Sequence, residues 1–130
     1  MAGNIDLVVD ASIILAWLLP DEREKMVNRI FAAYRQKKNH IYAPKLLIYE
    51  FINGLKSAIL RKRIDWLKAR RAIEVFKQMK FELIDQSGEE VNILKLANKL
   101  NLSVYDAAYV ALAKKLKIKL MSLDKKLLKL

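Results

Sequence analysis

Short apolar runs alternate with longer segments of helical period along the whole chain, and no other feature constrains its fold as strongly. Ile5 to Val9 is a β-branched run ending at Asp10, which predicts a strand buried on both faces. A helix is expected from Ala11 to Leu19, stopped by Pro20, and another from Asp21 to Lys37 with Met26, Val27, Ile30, Phe31 and Tyr34 facing inward. His40 to Ala43 reads as the next strand, with Pro44 opening a long helix that ends near Lys62. From Asp65 to Met79 the spacing of Trp66, Ala69, Ile73 and Phe76 predicts a helix with these four on its apolar face. Phe81 to Ile84 is a strand candidate, Gly88 to Leu100 and Val104 to Leu116 are helices, Ile118 to Ser122 is a strand, and a short helix starts at Lys125. Strands separated by helices call for an α/β fold with a mainly parallel central sheet of about four to five strands flanked by helices. With 130 residues and no internal repeat, residues 1–130 are expected to form one domain.

Composition excludes several chemistries. There is no cysteine, which removes disulfides, thiolate nucleophiles and Cys-ligated zinc. The single histidine, His40, rules out a multi-histidine metal site and reads as an ordinary strand-edge residue. Asp6 and Asp10 interrupt the N-terminal apolar stretch, and no run approaches the roughly 18 residues of a membrane span, so a soluble, cytoplasmic protein without membrane contact is expected. Lys and Arg outnumber Asp and Glu 25 to 14, a net charge of +11 that draws polyanions such as RNA to the surface. A lysine-rich surface also suits high temperature, so charge alone does not choose between the two.

Four carboxylates stand out. Asp10 ends a strand of the expected parallel sheet, where functional groups gather, although an Asp between strand and helix is also a favoured N-cap. Asp106 follows Ser103 by three residues, the spacing of a capping box. Asp124 lies between the last strand and the last helix and could cap that helix. Glu50 sits inside Leu46-Leu47-Ile48-Tyr49-Glu50-Phe51-Ile52, apolar nearly all the way round, where a carboxylate needs a partner or an ion. Asn53 and Ser57 extend its polar stripe, with Gly54 beside it, and an internal salt bridge to a lysine or arginine is the alternative.

Were these acids to converge, each would raise the others' pKa and weaken the fold until a cation bound. Oxygen-only ligation suits one or two Mg²⁺ or Mn²⁺ ions, and two such ions support in-line hydrolysis of a phosphodiester.

Four segments resemble the PIN-domain family, and specifically the VapC-type ribonuclease toxins of VapBC toxin–antitoxin pairs. Leu7-Val8-Val9-Asp10-Ala11-Ser12 is similar to the first motif and Tyr49-Glu50-Phe51-Ile52-Asn53-Gly54-Leu55 to the second. The segment from Ser103 to Ala113 resembles the third, and Ser122-Leu123-Asp124-Lys125-Lys126-Leu127 the fourth, with Ser122 where many members carry Thr. The resemblance covers residues 5–128 and implies a PIN-like fold and a metal-dependent endoribonuclease. It implies Asp10 and Asp106 as the most direct metal ligands, Glu50 and Asp124 completing the cluster, and Ser12, Asn53 and Ser122 in support. It also implies an RNA substrate, a VapB-type antitoxin and a homodimer. A housekeeping RNA-processing nuclease and a non-catalytic nucleic-acid-binding module on the same fold are the alternatives.

The basic residues fall in two groups. Arg61, Lys62 and Arg63 close the Glu50 helix, while Lys114, Lys125 and Lys126 belong to a lysine-rich C-terminal quarter near Asp106 and Asp124. These six are candidates for holding RNA phosphates at the rim of the acidic site.

Overall fold

The computed structural model describes residues 6–19 and 25–128. Four short strands, β1 (Leu7–Val9), β2 (Ile41–Pro44), β3 (Glu82–Ile84) and β4 (Lys119–Met121), form one sheet in the order β3-β2-β1-β4, and every pairing is parallel. Central β1 registers Val8 against Tyr42 on one side and Leu120 on the other. All three residues of β1 are buried, as its unbroken apolar run requires of a strand covered on both faces.

Among the described residues seven helices accompany these strands: α1 (Ala11–Leu18), α2 (Lys25–Arg35), α3 (Leu47–Leu60), α4 (Trp66–Met79), α5 (Glu90–Leu100), α6 (Val104–Leu116) and α7 (Lys125–Leu128). On one side the aromatic rings of Trp17, Phe31, Phe81, Phe76 and Phe51 meet in series, the first and last pairs stacked and the middle two tilted or edge-on, and draw α1, α2, α3 and α4 into one core. Elsewhere α6 packs on β1, β2 and β4 and is itself covered by α5. Every residue from Ala107 to Ala113 is buried, because small side chains let α6 be packed from two directions at once. Among the described residues no helix is long and apolar enough to cross a membrane.

Strand order places the site. From β1 the chain steps outward through β2 to β3, then returns past β1 to lay β4 on the opposite edge. The reversal opens a crevice beyond the carboxyl ends of β1 and β4, where ligands of open parallel sheets bind.

Element boundaries differ from expectation in instructive places. Pro44 does not open a helix. It ends β2 opposite Ile84, and Lys45 N donates to Ile84 O at 3.1 Å, so pairing outlasts the residue that lacks an N–H. Trp66 is 70% exposed and not on the apolar face, which is made by Ala69, Ala72 and Phe76 with Ile73 half-buried. It occupies the first position of α4, after the turn that follows the equally exposed Leu60 at the end of α3, where no described element covers it. The expected helix start at Asp21, with Pro20 before it, lies outside the described residues. With only three glycines in the chain, α4, α5 and α6 end on left-handed Lys80, Asn101 and Lys117. His40 lies just before β2, with Nδ1 3.1 Å from Asp6, away from the crevice.

Candidate active site

Asp10 is delivered by the end of β1 and is 7% exposed. It does cap α1: Ser12 donates to Oδ1 through its N–H at 3.1 Å and its hydroxyl at 2.5 Å. Ser122, fully buried after β4, donates its hydroxyl to Oδ2. The two serines are tied in turn to the β4–α7 loop, Ser12 Oγ accepting from Leu123 N at 2.9 Å and Ser122 Oγ from Asp124 N at 2.9 Å. Burial pushes the Asp10 carboxyl above the usual carboxylate range, and the serine bonds oppose that shift without cancelling it.

Glu50 lies in the first turn of α3, half-buried. Its partner among the described residues is neither lysine nor arginine, so the salt-bridge alternative fails. The phenol of Tyr109 donates to Oε1 at 2.6 Å. Burial raises the Glu50 pKa, and the charges of Asp10 and Asp106 add to the rise while the Tyr109 bond works against it. Tyr109 is pushed far above its ordinary value, first by burial and then by Glu50, and stays a donor.

Asp106 sits in the first turn of α6, where its N–H donates to the N-cap Ser103 Oγ at 3.0 Å. Asp124 is exposed and accepts from Lys126 N at 2.9 Å at the start of α7. Asp10, Ser103 and Asp124 thus do cap helices; capping orients the Asp10 and Asp124 carboxylates, and Ser103 fixes the first turn of α6 that carries Asp106. The two explanations of these acids are one arrangement.

All four carboxylates line a single cleft of about 460 Å³, together with Ser12 and Asn53. Gly54 belongs to its wall because α3 lies close on α1 there: a Cβ would stand 2.3 Å from Leu15 Cδ1. Ser57 is not among the lining residues. Among the described residues no lysine, arginine or histidine lines the cleft either. Of the six basic candidates, Arg61, Lys62 and Arg63 follow the far end of α3, and Lys114 faces a separate hollow with Lys117 and Lys119. Lys125 and Lys126 begin α7 beside Asp124, and Lys126 Nζ donates to Asn101 O at 2.9 Å.

The donor set suits a hard cation. It offers carboxylate, amide and hydroxyl oxygens only, and two of its acids are held above their ordinary pKa. Among the described residues no three acids close on one point as an all-protein cage would. Mg²⁺ fits such an open set, since it keeps several waters and takes one or two carboxylates.

Sequence reasoning gave no role to three tyrosines of the cleft. Tyr109 follows Asp106 by three residues on one helix face, a spacing that marks it as a neighbour of the site. Tyr49 and Tyr105, each directly before an acid, also line it.

The PIN domain family model matches residues 7–130. The chain belongs to the PIN domain family. This PIN domain is 34% identical over 125 residues to Ribonuclease VapC3 of Pyrobaculum aerophilum, covering 93% of this chain and 91% of that protein. It is 33% identical over 121 residues to Ribonuclease VapC9 of Mycobacterium tuberculosis, covering 93% of this chain and 87% of the relative. The crystal structure of PAE2754 from Pyrobaculum aerophilum superposes with a TM-score of 0.73 at 25% identity, over 96% of this chain and 85% of the other. The four-stranded parallel sheet flanked by helices is therefore a PIN fold, and the chain is a PIN domain of the VapC type.

Proposed function

We propose that this PIN domain is an endoribonuclease that hydrolyses RNA phosphodiester bonds with Mg²⁺ or Mn²⁺, as the toxin of a toxin–antitoxin pair. The carrying observation is the cleft itself. Four carboxylates from four separate segments converge at the carboxyl edge of the sheet, and among the described residues no basic side chain shares the lining to neutralise them. The full-length similarity to proteins named VapC ribonucleases supports the same reading.

Asp10 and Asp106 are the direct metal ligands in this reading, with Glu50 and Asp124 completing the set. Bound there, one or two divalent ions would supply water activation and charge stabilisation at the phosphate. Ser12 and Ser122 hold both oxygens of Asp10 in place, and Tyr109 holds Glu50. Asn53 adds an amide at the exposed side of the cleft. Lys125 and Lys126 stand where flanking phosphates would leave the cleft.

A VapB-type antitoxin and a second copy of the chain are the partners this reading assigns. Exposed Leu60, Trp66, Leu67, Val91 and Leu94 provide apolar surface for such contacts to cover.

The test is cleavage of RNA by the purified protein with Mg²⁺ or Mn²⁺, beside Asp10→Asn and Asp106→Asn. Cleavage should need the metal, and each variant should lose about a hundred-fold or more while keeping the wild-type circular dichroism spectrum. Equal cleavage by all three proteins, or cleavage in excess EDTA, would overturn the assignment.

A further inference from the structure

Two of the four cleft acids carry an aromatic residue directly before them. Tyr49 precedes Glu50 on α3, and Tyr105 precedes Asp106 on α6. One residue turns about 100° around a helix axis, so a carboxylate aimed inward leaves the preceding side chain on the rim. Both tyrosines line the cleft, and they are 78% and 63% exposed. The chain has five tyrosines, and the other three, Tyr34, Tyr42 and Tyr109, are buried or half-buried. Aromatic surface is thus left in water at the mouth of the acidic cleft, where the reacting phosphate must sit.

A phosphate at the acids places its two flanking nucleosides at the rim. Among the described residues no lysine, arginine or histidine lines the cleft to grip them by charge, but tyrosine rings offer flat apolar faces of the size of a base. Base–aromatic stacking tolerates any base and requires only that the base be free of its partner strand.

We propose that Tyr49 and Tyr105 are stacking platforms for the two nucleobases that flank the scissile phosphate, so that the cleft selects unpaired RNA. The proposal rests on the nuclease reading above and names how the same site chooses its substrate. The rival occupant of the rings is a peptide segment of a partner protein, which the test separates.

The cut position is first mapped in an unpaired oligoribonucleotide with wild-type protein and Mn²⁺. Kinetics then follow for Tyr49→Ala, Tyr105→Ala, the double variant and the two Tyr→Phe variants, on that substrate and on one with abasic riboses flanking the cut. The double alanine variant should raise KM about ten- to a hundred-fold with kcat near wild type, and the phenylalanine variants should keep the wild-type KM. The abasic substrate should cost wild type a similar factor and cost the double variant nothing further. Both rings are exposed, so unchanged melting temperatures check that the variants are folded. Cleavage with unchanged KM in the double variant, or an abasic penalty that survives in it, overturns the platforms, points to the peptide, and leaves the nuclease reading intact. A wild-type protein that cuts no RNA under any metal overturns both.

Discussion

Tyr109 Oη stands 2.6 Å from Glu50 Oε1 and joins α6 to α3 across the cleft, between residues 59 apart in the chain. The bond gives a half-buried carboxylate a neutral donor. Glu50 is therefore held in position without its charge being cancelled, and the charge remains available to a cation.

Removing that donor should be felt in the metal-free protein. Tyr109→Phe keeps the ring, which is 1% exposed, and deletes one hydrogen bond to a charged group. A loss of about 1–2 kcal/mol is expected, equivalent to roughly 3–6 °C in melting temperature for a domain of this size. Thermal melting in EDTA at neutral pH measures it, and an unchanged midpoint would mean the bond contributes nothing.

The acids set a pH dependence whose sign follows from their raised pKa values. Asp10 and Glu50 bind protons in the folded state at pH values where the unfolded chain has released them. Their contribution to stability is therefore fully present below the unfolded carboxylate pKa of about 4 and is lost as pH rises through the raised folded value. Glu50→Gln removes one such group and relieves its repulsion with Asp10 and Asp106. In EDTA the variant should melt above wild type at pH 7, with the gap closing toward pH 4, and saturating Mn²⁺ should reverse the order. A variant that melts lower in EDTA at pH 7 would contradict the cluster.

Ser122 is fully buried and its hydroxyl serves two partners, Asp10 Oδ2 and Asp124 N. Ser122→Ala leaves both without their bond and should cost about 2–3 kcal/mol in urea denaturation. Because Asp10 then loses one of its two anchors, metal-dependent cleavage should fall about ten- to a hundred-fold. A variant that loses stability and retains full cleavage would restrict Ser122 to the fold.

The two basic groups should behave differently toward a short oligoribonucleotide. Lys125 adjoins Asp124, whereas Arg61 is 11 residues beyond Glu50 on the α3 axis, or about 16 Å. Lys125→Gln should raise KM a few-fold and flatten the slope of log KM against log salt by about 0.7. Arg61→Gln with Lys62→Gln should leave both unchanged on a substrate too short to reach them. Equal effects from the two variants would place the phosphate path along α3 as well.

Lys117 ends α6 in the left-handed region, with φ of 58°. Lys117→Gly removes the Cβ strain there and should stabilise the fold by about 0.5–1 kcal/mol, seen as a melting temperature raised by roughly 2–4 °C. RNA cleavage should not change, since Lys117 lies outside the acidic cleft.

The resemblance of four segments to family motifs grouped Asp10, Glu50, Asp106 and Asp124, while periodicity in the chain determined the order of strands and helices, the bounds of α6 at both ends, and Glu50 as the acid most in need of a polar or ionic partner. A hydrophobic repeat reports which side of an element faces inward, and that was sufficient for these features. It does not report what lies opposite. The strand order β3-β2-β1-β4 brings Ser122 to Asp10 across 112 residues, and the packing of α6 beside α3 makes a phenol, not a cation, the partner of Glu50. Tertiary packing also leaves Trp66 uncovered by any described element, keeps Arg61 and Lys114 out of the cleft, and leaves Tyr49 and Tyr105 in water at its rim. Capping propensity and a place in the acidic cleft are one property of Asp10, because a parallel sheet ends its strands where its helices begin.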